Sequence, residues 1–341
     1  MKLRIFSRVG SGLRFVFIAA ITGIVASVYA FAPLPAGSAP PTGLAYDEIV
    51  KVILGTASPE PGGFSADFDT AISAQKSAIA PGAHHGLFGS IMNAVDTAKN
   101  AMNLLKNGTA SSKYYLAGWE RTDDPGAQTA TIAKPQQHEM IYLNLAKKTY
   151  RVVDTNVQAP NVTPPPMEQA RNGAGQPVQP GTGKLDVTVS STSLGSRMVE
   201  NVQTTGYKVT FNLSETQSTG SCSDGNFMTS MVEYISRYAE PRAAASRVAM
   251  APAMNTRPEL MALKPGCKPT ISTHTSGGAQ PPTGRLAMWT WVAISAGAPT
   301  AQGQMNGGFS TVIERGNVRT LGSGDKKLFD IPADYTKEQP Q

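Results

Sequence analysis

Two segments of this 341-residue chain alternate apolar and polar residues with a period of two, and that alternation restricts the fold more than any other feature. Leu185, Val187 and Val189 alternate with Asp186, Thr188 and Ser190. Tyr207, Val209, Phe211 and Leu213 alternate with Lys208, Thr210, Asn212 and Ser214. Successive side chains of a strand point to opposite sides, so both segments predict antiparallel strands with one dry and one wet face. The residues from Lys113 onward repeat the theme in shorter pieces. Lys113–Thr122, Gln128–Lys134, Gln137–Leu145 and Thr149–Asp154 predict a meander, with Asp123-Asp124-Pro125-Gly126 as its clearest turn.

Leu286–Ile294 breaks the one-sided pattern. Leu286, Met288, Val292 and Ile294 fall on one side, and Ala287, Trp289, Trp291 and Ala293 on the other. A strand apolar on both sides is covered on both sides, which predicts a second layer or an enclosed hollow. Phe309–Thr320 predicts a further strand after the Asn306-Gly307-Gly308 turn, and Leu328–Pro332 a terminal contact. Asn226–Arg237 fits either a helix or a hairpin partner of the preceding strand. His274–Thr283 reads as a loop.

The N-terminal third reads as helical. Ala45–Leu54 predicts a short helix, broken by residues 56–63 (TASPEPGG), and Asp67–Ile79 predicts another. The longest helical pattern is Gly86–Asn107, where Leu87, Phe88, Ile91, Met92, Val95, Ala98, Met102 and Leu105 recur every three or four residues. Asn107-Gly108 supplies its stop. Two segments resist a packed element: the Pro- and Gly-rich insertion 156–183, and the Ala- and Met-rich excursion 239–263, partly helical and interrupted at Pro252 and Pro258.

Residues 1–30 carry an address. Lys2, Arg4, Arg8 and Arg14 precede an apolar run from Phe15, and Val28-Tyr29-Ala30 has the form of a cleavage site. The expectation is an exported chain, periplasmic or secreted, with membrane contact only if this segment stays uncleaved. The net charge of +6 then overstates the basic character. Four of the 30 Lys and Arg lie in residues 1–30 and no acid does, which leaves 26 against 24 beyond them. That balance does not point to nucleic acid. The only cysteines, Cys222 and Cys267, predict one disulfide in an oxidising compartment.

Tests for chemistry are unproductive. His138-Glu139 begins like a zinc-protease motif, but Tyr142 stands where the second histidine is required. His84-His85 lies in a predicted loop, and His274 stands apart. Residues 31–341 contain no G-x-S-x-G and no dinucleotide fingerprint. Residues 175–184 (GQPVQPGTGK) have the wrong glycine spacing for a phosphate loop. The sequence therefore predicts no catalytic residue, metal or cofactor. Trp119, Trp289 and Trp291 are candidates for contact with a carbohydrate or lipid, with Met92 and Met102 on the helical stripe beside them.

Three stretches resemble a family of uncharacterised bacterial envelope proteins. They are residues 113–121 (KYYLAGWER), 139–145 (EMIYLNL) with 148–154 (KTYRVVD), and 328–335 (LFDIPADY). That family is similar to the outer-membrane lipoprotein carrier class of half-open barrels. The resemblance implies an antiparallel sheet curled around a helix, with an apolar hollow for acyl chains. It transfers no catalytic residue.

Together these readings predict an α+β chain, mainly β: a curved antiparallel sheet packed on one main amphipathic helix. Residues 1–30 are the signal, 31–110 a leader with helical segments, and 111–335 the β domain. The functional expectation is a non-enzymatic envelope protein that binds a lipid or other hydrophobic ligand. The alternative is a structural or assembly module that holds a protein partner.

Overall fold

The computed structural model describes residues 43–79, 103–155, 180–241, 267–296 and 308–338. The segment 1–30 read as a signal, most of the predicted helix 86–107, the insertion 156–183 up to residue 179, and most of the excursion 239–263 lie outside the described residues.

The chain is mainly β and forms one open sheet of thirteen strands. In chain order these are β1 (Gly43–Leu54), β2 (Thr109–Leu116), β3 (Trp119–Asp124), β4 (Thr129–Lys134), β5 (Glu139–Asn144), β6 (Thr149–Asp154), β7 (Lys184–Val199), β8 (Val202–Thr216), β9 (Gly225–Ala239), β10 (Thr270–Ser276), β11 (Arg285–Ala296), β12 (Gly308–Leu321) and β13 (Thr336–Lys337). Their order across the sheet is β10-β7-β8-β9-β11-β12-β1-β2-β3-β4-β5-β6-β13. All neighbours are antiparallel except the two edge strands, β10 on β7 and β13 on β6, which run parallel. One helix, α1 (Phe64–Ile79), lies on the sheet centre.

The meander is present as expected, with one more strand. Lys113–Thr122 is not a single strand: Ala117 and Gly118, at φ 53° and 83°, form a two-residue turn that divides it into β2 and β3. Positive φ at both central residues suits the twist of a tight hairpin. The β7–β8 hairpin turns the same way, at Glu200 and Asn201. Asn226–Arg237 is a strand, β9, paired with β8 on one side and β11 on the other. His274–Ser276 belongs to strand β10 rather than to a loop.

The largest correction concerns Ala45–Leu54. It is a strand, β1, between β12 and β2 at the centre of the sheet. The sheet thus begins at Gly43, inside the segment read as a helical leader. Ile49, Val50, Val52 and Ile53 are β-branched, and such residues prefer a pleated surface. Two waiting neighbours outweigh any helical pattern over ten residues.

α1 behaves as its sequence suggests. Phe64, Phe68, Ala71 and Ile72 face Ile49 and Ala110 on the sheet. Asp67 in the first turn and Lys76 in the last match the helix dipole. Gln75 fixes where the helix sits: its Oε1 accepts the Ala110 N–H at 2.9 Å, and its Nε2 donates to the Ala110 carbonyl at 3.2 Å and to Asp124 Oδ1 at 3.1 Å. At the other end of the helix, Gly316 leaves room for Phe64, since a Cβ there would lie 2.4 Å from its ring. Residues 103–107 are helical and end at Gly108, whose φ is 86° and whose N–H reaches the Leu104 carbonyl at 2.7 Å.

The two halves of the sheet bury opposite sides. Register places Ala45, Ile132 and Ile141 on the α1 face, where they are buried with Leu143 and Phe329. The terminal contact Leu328–Pro332 is thus realised: Phe329 is fully buried, 5.9 Å from the Trp119 ring, and Arg121 Nη1 donates to the Leu328 carbonyl at 2.6 Å. On β7, β8 and β9 the buried Val187, Leu213, Val209 and Met231 point to the opposite face, while Val232 of β9 is buried on the α1 face beside Trp291. Between the halves lies β11, buried on both faces from Leu286 to Ala293. Among the described residues no helix is long and apolar enough to cross a membrane.

Cys222, in the β8–β9 connection, is disulfide-bonded to Cys267, just before β10, across a separation of 45 residues. Two predictions follow from these contacts. Gly316→Ala forces Phe64 out of its seat and should cost about 1–3 kcal/mol in chemical denaturation. Reducing the disulfide should lower stability by up to about 4 kcal/mol, read as a shift of the urea midpoint with dithiothreitol.

Candidate functional site

The pairing β9-β11-β12-β1 sets two rows of side chains on the α1 face. Tyr234, Trp289, Glu314 and Ile49 form one row, and Val232, Trp291, Val312 and Lys51 the next. Trp289 is 1% exposed and meets the Tyr234 ring edge-on at 5.9 Å. The outer face of Tyr234 carries the Arg197 guanidinium, 5.7 Å from its centroid, and Arg197 Nη2 donates to the Pro61 carbonyl at 3.2 Å.

Trp291 is 5% exposed, and its Nε1 has no hydrogen-bond partner among the described residues. On β12, Ser310 is fully buried and its Oγ is also unpartnered. Ser310 pairs with Ala293, so it lies one diagonal step from Trp291 on the same face. Diagonal neighbours on one face are roughly 7–8 Å apart, within reach of an indole. A buried donor without an acceptor costs about 1–3 kcal/mol, and two on adjacent strands are unusual in a native sheet.

The charged edge of this patch is a triad. Lys51 Nζ donates to Glu314 Oε1 at 2.9 Å and to Asp67 Oδ2 of α1. Burial pushes the Glu314 carboxyl up, and Lys51 pulls it back. Burial opposes the charge on Lys51, but its two carboxylate partners hold its pKa above the ordinary value.

A second network occupies the opposite face of the same strands. Glu48 of β1 is 6% exposed, and both its oxygens are held: Oε2 by Arg315 Nε at 2.8 Å and Oε1 by Lys113 Nζ at 2.7 Å. Arg315 Nη1 donates to the Ala287 carbonyl at 2.7 Å, and its guanidinium stands 5.5 Å from the Tyr46 ring. Burial would raise the Glu48 pKa, but the two cations override it and hold the carboxyl below its ordinary range. Burial raises the hydroxyls of Tyr46 and Tyr115, whose rings stack at 6.0 Å. Glu240, at the end of β9, faces Arg315, Glu48 and Lys113. Burial lifts its carboxyl above 4.5, and the two cations only partly oppose that.

Of the sequence-predicted residues, the structure brings Trp289 and Trp291 together on one face of β11. Trp119 lies apart, half-buried against Phe329 with Lys134 Nζ 5.0 Å from its ring. Met92 and Met102 lie outside the described residues, as do His84 and His85. His138 closes the 3-10 turn Pro135–Gln137 before β5, and His274 is exposed on β10. Among the described residues, the one group with metal-ligand geometry is Glu215 with Cys222 and Cys267. Both sulfurs are in the disulfide, so neither is available as the thiolate that binds a metal. Sequence reading missed Ser310 and the Glu48–Arg315–Lys113 network. The signal was there: Glu48, Lys51, Glu314 and Arg315 interrupt otherwise apolar strand segments.

Comparison with protein-family models, with curated proteins and with solved structures finds no match for this chain.

Three outcomes follow from the site. Glu48→Gln leaves Arg315 buried without its charged partner and should cost about 3 kcal/mol in urea denaturation. Glu240 has a folded pKa above its unfolded one, so its folded form prefers the proton. Its contribution is therefore lost as pH rises from about 4.5 through the folded value. Glu240→Gln should accordingly flatten the decline in melting temperature above pH 4.5. Trp291→Phe keeps an aromatic ring but removes the unpartnered N–H with part of the indole's volume. Relief of the unpaired donor offsets the cavity, so the ligand-free protein should stay within about 1 kcal/mol of the parent in the same assay.

Proposed function

We propose that this is a non-enzymatic, exported envelope protein that binds a lipid or other hydrophobic ligand. The sheet curls as a half-open barrel, and the ligand lies in the hollow between its α1 face and the helices. The observation that carries this reading is β11. Its two tryptophans are buried side by side on the α1 face, and the indole N–H of Trp291 has no partner among the described residues. Large aromatic surfaces with few, placed polar groups are the usual lining of a small-molecule site. The disulfide suits an oxidising compartment outside the cytoplasm. The signal-like residues 1–30 fit the same address, and the likeness of residues 113–154 to carrier-like envelope proteins agrees with it.

A second reading has its own observation. β10 is an exposed edge strand, and its sequence TISTHTS has no Pro or Lys to block pairing. An assembly module would use that edge to add a partner's strand.

Native mass spectrometry of the protein purified from the envelope separates the two. The ligand reading expects a mass increment lost on organic extraction. A ligand-free protein, with in-cell crosslinking at Thr273 to one stoichiometric partner, overturns it in favour of the second.

A further inference from the structure

We infer that Trp291 and Ser310 form the polar end of the ligand site, and that they read a neutral carbonyl oxygen on an otherwise apolar molecule. The inference rests on the ligand-binding reading above and specifies its chemistry. An indole N–H can only donate, so its missing partner is an acceptor. A serine hydroxyl can donate to the same atom. A carbonyl oxygen has two lone pairs and accepts both, whereas a hydrocarbon chain satisfies neither.

Register supports a shared target. Trp291 and Ser310 lie diagonally on the same face of β11 and β12, both are buried, and neither has a hydrogen-bond partner among the described residues. Their surroundings, Val312, Ala293 and Trp289, are apolar. The charges on this face set the sign: Arg197, over Tyr234, is paired with Glu60, which leaves the Lys51 triad. Lys51 is shared between Asp67 and Glu314, so the triad carries a net negative charge when both acids are ionised. Glu314 is on the α1 face, directly opposite Trp289. A free carboxylate would be repelled there, and an ester, ketone or amide would not. The predicted class is a neutral acyl ester or amide rather than a fatty acid.

Isothermal titration with three eight-carbon probes tests this: methyl octanoate, methyl octyl ether and octanoate. At pH 7 the protein should bind methyl octanoate about tenfold more tightly than the ether or the acid, a gap of about 1.4 kcal/mol. Trp291→Phe should bring ester and ether within twofold chiefly by weakening the ester, with the ligand-free melting temperature little changed. Ser310→Ala should do the same in part, and decides the matter if Trp291→Phe does not fold. Equal binding of ester and ether by the unaltered protein overturns this inference and leaves the hydrophobic-ligand reading standing; unaltered ester preference in both variants does the same, with a trapped water as the partner. Binding of none of the three overturns both.

Discussion

A strand that buries both of its sides needs material above and below it, and β11 is such a strand from Leu286 to Ala293. Its neighbours inherit the constraint. On the meander side the sheet is dry on the face that carries α1 and Phe329. On β7 and β8 the clusters of Val187, Leu213 and Val209 face the other way. The change of sides takes place from β9 to β1, where residues 229–233 of β9 and 286–293 of β11 are buried without a break on both faces. Thirteen strands are more than a twisted open sheet usually holds before it curls.

Two of these strands, β1 and β12, carry paired buried charges, and the pairs point apart. Glu314 and Arg315 are adjacent in β12 and therefore face opposite sides. Glu314 meets Lys51 on the α1 face, and Arg315 meets Glu48 on the other. A shift of one residue between β1 and β12 would put every one of these charges on the wrong side, away from its partner. The networks add little to stability over apolar packing, but they make an alternative register costly. A sheet centre buried on both faces needs such a device, since apolar side chains alone discriminate poorly between registers.

Much of the sheet was legible in the sequence. The alternating segments became β7 and β8, the meander became β3 to β6 with the later part of β2, and the two-sided pattern of Leu286–Ile294 became a strand buried on both faces. The cysteine pair formed the expected disulfide. What was misread had a common cause. Ala45–Leu54 has charges at Asp47, Glu48 and Lys51, which break the period of two and mimic a helix. Their partners, Arg315, Lys113 and Glu314, come from distant parts of the chain, so no local window shows that they are paired. The turn at Ala117-Gly118 was hidden by the aromatic residues on either side of it. In the candidate site, the aromatic content was visible but the unpartnered N–H of Trp291 was not. It depends on what stands opposite on β12, and pairing between strands is not a local property.

The account depends most on β11 lying at the sealed centre of the sheet. Native-state hydrogen exchange followed residue by residue tests that directly. Amides of residues 286–294 should exchange only through global unfolding, with the free energy of the whole protein, while those of β10 and β13 exchange orders of magnitude faster. Exchange of residues 286–294 at the rate of the edge strands would contradict it.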